Sequence, residues 1–128
     1  MSARRHRAEA ALTAAFVADA AALGLHWLYD QPRIAALEGP AVFREPDPED
    51  FAGARGVFVH HGKQAGDLSQ YGAQLRAGVQ AAPEGTVEAM QERFMAAFGP
   101  GGWWSGYADR PTKGAVASRS IACRWVRV

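Results

Sequence analysis

Residues Phe58–Leu75 read FVHHGKQAGDLSQYGAQL, and this stretch decides the fold class. Two histidines, a lysine, a carboxylate, a hydroxyl and a tyrosine crowd around Gly62, Gly66 and Gly72. A backbone so rich in glycine turns sharply and lets a ligand come close, because no Cβ forbids positive φ. After Gly66 the pattern changes: Leu68, Tyr71, Leu75 and Val79 recur at spacings of three and four, which is one face of a helix. The stretch is therefore a loop feeding a helix. Asp67 or Ser69 caps that helix, a side-chain oxygen accepting from the first-turn N–H groups. The other use for the same two oxygens is a hard cation such as Mg²⁺, which prefers carboxylates and hydroxyls. Spacing alone favours the cap, since an acidic or hydroxyl residue ahead of an apolar stripe is common.

Upstream, alanines alternate with Leu12, Phe16, Ala20 and Leu23 from about Arg7 to Leu25, with no proline to interrupt a long, small-faced first helix. Asp19 lies within it. The aromatic cluster Gly24-Leu25-His26-Trp27-Leu28-Tyr29-Asp30 follows and reads more as core than as a pocket lining. Asp30 is placed to cap a short helix near Pro32, stopped by Gly39-Pro40. Pro40 to Gly66 is irregular, with a strand-like bridge at most around Val57–Val59.

Downstream, Thr86 caps a stripe of Val87, Met90, Phe94 and Phe98, closed by Gly99, and this stripe reads as core. The loop Pro100–Tyr107 is rich in glycine and aromatics, costly to expose unless it covers or binds something. Beyond Asp109 there is no acidic residue, while Arg110, Lys113, Arg119, Arg124 and Arg127 accumulate and no clean helical stripe emerges.

The chain has 128 residues, enough for one small domain with a core. Fourteen basic against thirteen acidic residues give a net charge of +1, which points to neither nucleic acid nor an acidic membrane as a partner. The single cysteine, Cys123, excludes an internal disulfide and a thiolate metal cluster, and has no evident base to make it a nucleophile. A reducing, cytoplasmic setting is expected. MSARRHR followed by Ala10–Ala18 and Ala18-Asp19-Ala20 has the outline of a signal peptide, but the alanine content and Asp19 weigh against one. No run approaches the roughly 18 apolar residues of a membrane span.

Two segments, VADAAALGLHWLYD at Val17–Asp30 and HHGKQAGDLSQYGAQL at His60–Leu75, resemble the ADP-ribosylglycohydrolase family, and most of all its divergent branch near selenoprotein J and the J-crystallins. Phe98–Gly114, FGPGGWWSGYADRPTKG, is similar to the loop after the next helix in that branch. The resemblance implies an all-α orthogonal helical bundle that cleaves the glycosidic bond between ADP-ribose and a protein side chain or small acceptor at a paired Mg²⁺ (or Mn²⁺) site. Its partner would be an ADP-ribosylated protein or small ADP-ribose derivative. On the family's Thr-Asp-Asp-Thr-like turn, Gly66 stands for the first Thr, Asp67 for the first Asp, Leu68 for the second and Ser69 for the last Thr. Asp67 and Ser69 are thus implied at the metal, and Asp19, Gly66 and Tyr71 on the substrate side. Leu68 offers no oxygen.

Family members are longer and draw further metal ligands from an Asp-x-Asp motif that nothing after Asp109 supplies. The expected organisation is an incomplete family domain at 1–114 and an atypical basic tail at 115–128, of the kind a shifted reading frame would append. Impaired hydrolysis is one expectation for such a chain. The others are a non-enzymatic, crystallin-like ligand-binding protein, which Leu68 favours, and a helical interaction module presenting Trp27 and Trp103-Trp104.

Overall fold

The computed structural model describes residues 2–125, with side chains through Arg119. Arg127 and the side chains of Cys123 and Arg124 lie outside the described part. The fold is all-α, with no strand among the described residues. Five helices follow in order: α1 (Ala3–Ala22), α2 (Gln31–Ala36), α3 (Gln70–Ala81), α4 (Val87–Phe98) and α5 (Arg110–Trp125). Two 3-10 turns, Leu23–Leu25 and Pro48–Phe51, interrupt the loops. The chain divides into two compact units, Met1–Gly72 and Ala73–Val128.

In the first unit, α1 starts where the Ser2 hydroxyl accepts from the Arg5 N–H, and Arg5 pairs with Glu9 one turn on. Its first thirteen residues are exposed; only toward the end do Ala20 and the following Leu23 become buried. Leu23 has no exposed surface, a burial worth about 1.5–3 kcal/mol. Contrary to the expectation from residue counts, the helical run Ala3–Leu25 is long and apolar enough, by length and composition, to cross a membrane. Alanine accounts for the difference: each adds little hydropathy, but the run holds many.

Asp30 caps α2 by accepting from the Arg33 N–H at 3.0 Å, and its other oxygen accepts from the Arg55 N–H at 3.1 Å. These two N–H bonds, Arg55's first, hold its carboxyl below the usual carboxylate range. The irregular segment is ordered by arginines instead of by regular structure. Arg44 grips the buried Asp50 through both carboxylate oxygens, and Arg33 donates to the carbonyls of Glu49 and Asp50. The Arg44 carbonyl sits so close to Gly24 that a Cβ there would stand 2.2 Å away, so position 24 must be glycine. The expected bridge exists one step earlier than Val57, pairing Gly56 antiparallel with Leu28.

In the second unit the core is built from alanine. Ala73, Ala77 and Ala81 of α3 are buried at helical spacing, as are Ala89 and Ala97 of α4. Thr86 caps α4 as expected, accepting from the Ala89 N–H at 3.1 Å. The Val87, Met90, Phe94 and Phe98 stripe is not the buried face: Val87 is exposed and Met90 is 37% exposed. Small side chains took the interior because they permit close helix approach, and the large ones were displaced to its margin. The aromatic loop folds back on the end of α4, the N–H groups of Trp103 and Trp104 donating to the carbonyls of Ala96 and Ala97. Arg76 lies over the Trp103 ring at 4.6 Å.

Asp109 then opens α5 by accepting from the Thr112 N–H at 2.9 Å, and Gln74 donates to the buried Thr112 hydroxyl at 2.8 Å. A helix therefore occupies the stretch where the sequence offered no clean stripe. This helix, Arg110–Trp125, runs through Gly114 and belongs to the second compact unit.

Candidate functional site

The two resembling segments of the first unit meet side by side. Asp19, one turn before the end of α1, accepts from Ser69 twice: its Oδ2 from the Ser69 N–H at 2.8 Å and its Oδ1 from the hydroxyl at 2.5 Å. The Ser69 Oγ in turn accepts from the Tyr71 N–H at 3.1 Å. Ser69, 1% exposed, is thus the cap of α3, and the choice between Asp67 and Ser69 falls to Ser69. Gly72 presses on the same carboxylate: a Cβ there would lie 2.3 Å from Asp19 Oδ2.

A second tie lies alongside. His26 Nδ1 and His60 Nε2 are 3.0 Å apart, with ring centroids 5.2 Å apart and planes tilted by 20°. Only one of the two facing nitrogens can hold a proton, so one ring donates and the other accepts. Burial, then the neighbouring His26, pushes His60 down to about 4; Lys63 acts in the same direction and Asp19 opposes it. Burial likewise lowers His26, partly offset by Asp19. Burial thus disfavours the charged form of both rings. Tyr71, 43% exposed, meets His26 edge-on at 5.5 Å and Trp27 does so at 6.0 Å. Trp27 holds a φ of 75°, a left-handed conformation that costs a bulky residue on the order of 1–2 kcal/mol. The bridge restrains it on both sides: the Trp27 carbonyl accepts from the Val57 N–H, and the Tyr29 N–H donates to the Arg55 carbonyl.

The remaining expected site residues lie in the preceding loop. Gly66 is exposed with a φ of +90°, and nothing crowds its Cβ position. Asp67 is half-buried and turns back to accept from the Gln64 N–H at 3.0 Å, closing a tight turn. His61 stands edge-on to Phe58 at 4.8 Å. Asp19, Ser69 and Tyr71 are therefore brought together, while Gly66 and Asp67 stay in the loop ahead of them. The histidine pair was not legible in advance. His26 read as core and His60 as a loop element, and the one hint was that each belongs to a resembling segment.

Two divalent cations require several converging oxygens. Among the described residues no three His, Cys, Asp or Glu side chains come together to hold a metal. The Ser69 hydroxyl is engaged by Asp19 and the Tyr71 N–H, Asp67 is bonded within its own turn, and Leu68 has no oxygen to give. These residues do not fit a paired-metal centre. The arrangement instead sets the His26–His60 pair and the Tyr71 ring beside a carboxylate fixed by Ser69. Set against family models, curated proteins and solved structures, the chain matches none.

Proposed function

We propose that this chain is an ADP-ribosylglycohydrolase-like protein of the orthogonal-bundle type. In this reading the first unit forms the ligand-facing wall for an ADP-ribosyl group, and hydrolysis of the glycosidic bond is impaired because the metal-holding oxygens are not assembled. One observation supports this reading above others: two segments fifty residues apart, each resembling the same family, converge through Asp19 and Ser69. A site shared by the two segments would need such a contact. The ligand is an ADP-ribosylated protein or a small ADP-ribose derivative, met in the cytoplasm. A non-enzymatic, crystallin-like role is the second reading, favoured by Leu68 and by the engaged Ser69 hydroxyl.

Calorimetric titration of ADP-ribose into the full chain, with and without Mg²⁺, tests the first reading. Saturable binding that Mg²⁺ leaves unchanged and that Tyr71→Ala weakens is expected, with no measurable release of ADP-ribose from a modified protein. Absence of any ADP-ribose binding overturns it and leaves the structural role.

A further inference from the structure

Displacement of large side chains from the second unit's core leaves a groove between α4 and α5. Its volume is about 410 Å³, and Met90, Gln91, Phe94 and Met95 face Ala115, Ser118 and Arg119 across it. That size falls within the roughly 300–1,000 Å³ of small-molecule sites, which pair an apolar lining with a few convergent polar groups. The apolar lining here is two methionines, a phenylalanine and Ala115. Unbranched methionine side chains adapt their shape to a flexible occupant. Of the polar groups, the Ser118 hydroxyl is engaged, donating to the Gly114 carbonyl at 2.9 Å. Gln91 and Arg119 have no hydrogen-bond or ion-pair partner among the described residues. An apolar trough with a guanidinium and a carboxamide at its edge, neither paired among the described residues, is complementary to a molecule with an apolar body and one anionic end.

We propose that this groove binds a small amphipathic monocarboxylate, its alkyl body lying on Met90, Phe94 and Met95 and its carboxylate received by Arg119. The planar guanidinium fork matches a carboxylate through two parallel N–H donors, which a lysine would not do. Gln91 can add a third donor from its amide. Neither the ADP-ribose reading nor the first unit enters this assignment.

Decanoate titrated calorimetrically into the full chain is the test, with decanol and acetate as probes that keep only the body or only the charge. Saturation at one decanoate per chain is expected, with both partial probes at least about tenfold weaker. Arg119→Gln should weaken decanoate about tenfold, leave decanol unchanged and so erase the preference between them. Ala115→Trp, which fills the groove, should weaken both. Arg119 is partly exposed, so Arg119→Gln decides the matter alone if Ala115→Trp does not fold. Equal affinity for decanoate and decanol, or an unaltered decanoate affinity in Arg119→Gln, would overturn the proposal, as would uptake that never saturates. Sedimentation provides a further check: self-association dispersed equally by decanol and decanoate would assign the groove to a second copy of the chain and sink the proposal too.

Discussion

Ser69 donates its hydroxyl to Asp19 at 2.5 Å and its backbone N–H to the same carboxylate at 2.8 Å, joining positions fifty residues apart. One side chain thus anchors α1 to the start of α3 and sets the cap from which α3 grows. Asp19→Ala removes the acceptor for both donors, each of them on Ser69, which is almost fully buried. A loss of about 2–4 kcal/mol is expected in urea unfolding followed by circular dichroism. Asp19→Asn, whose amide oxygen can still accept one bond, should lose less. Equal stability of Asp19→Ala and the parent chain would show that the tie is incidental.

Gly72 and Gly78 lie in the same helix but should respond oppositely to alanine. At Gly72 the new methyl would stand 2.3 Å from Asp19 Oδ2, whereas at Gly78 its nearest neighbour is the Met90 sulfur at 3.7 Å. Alanine favours the helix by about 1 kcal/mol over glycine, so Gly78→Ala should be neutral or stabilising. Gly72→Ala should destabilise by about 1–3 kcal/mol despite the same propensity gain, because the displaced carboxylate loses its aim at Ser69. Melting temperatures of the two variants give the sign directly.

The His26–His60 pair makes stability depend on pH in a fixed direction. His60 has its folded value pushed down to about 4, below the ordinary 6.5, so between those values the unfolded chain binds more protons than the folded one. Stability is therefore greatest above 6.5, falls as pH drops toward 4, and gains no further dependence from this group below that. Imidazole NMR resonances should show the His60 ring neutral at pH 5.5, and His60→Gln should flatten the slope of stability across the window. A His60 ring that titrates near 6.5 would contradict the burial and contact that define the pair.

Asp67 is bonded within its own loop turn, so metal should do little. Adding Mg²⁺ or Mn²⁺ is expected to leave the melting temperature of the full chain unchanged, and Asp67→Ala should cost only about 0.5–1.5 kcal/mol through its lost bond with the Gln64 N–H. A metal-dependent rise in melting temperature that vanishes in Asp67→Ala would restore Asp67 as a ligand.

Local signals read well in this chain and long-range ones did not, for physical reasons. Asp30 ahead of Pro32 and Thr86 ahead of Val87 announce helices because a cap acts within three residues, and both cap as expected. Ser69 was one of two candidates at the start of α3, since only the third dimension supplies Asp19 as the partner that orients its hydroxyl. The His26–His60 contact spans thirty-four positions and has no local signature. In α4 the periodicity of Met90, Phe94 and Phe98 was real, but Met90 and Phe94 line the groove and Phe98 meets the Trp104 ring; Ala89 and Ala97 faced inward, and side-chain size alone does not reveal that preference. The α5 helix escaped because arginines and small residues mask any apolar stripe, while Asp109, its cap, gave a signal that could have been read.

The position of Asp19 within α1 sets two destinies against each other. Every stretch of this helix long enough to traverse a bilayer includes that carboxylate, and placing it in hydrocarbon would cost on the order of 2.5–3.5 kcal/mol. Insertion would also strip Ser69 of the partner that starts α3. Burial of this helix in a bilayer and the capping of α3 therefore make opposite demands on one carboxylate.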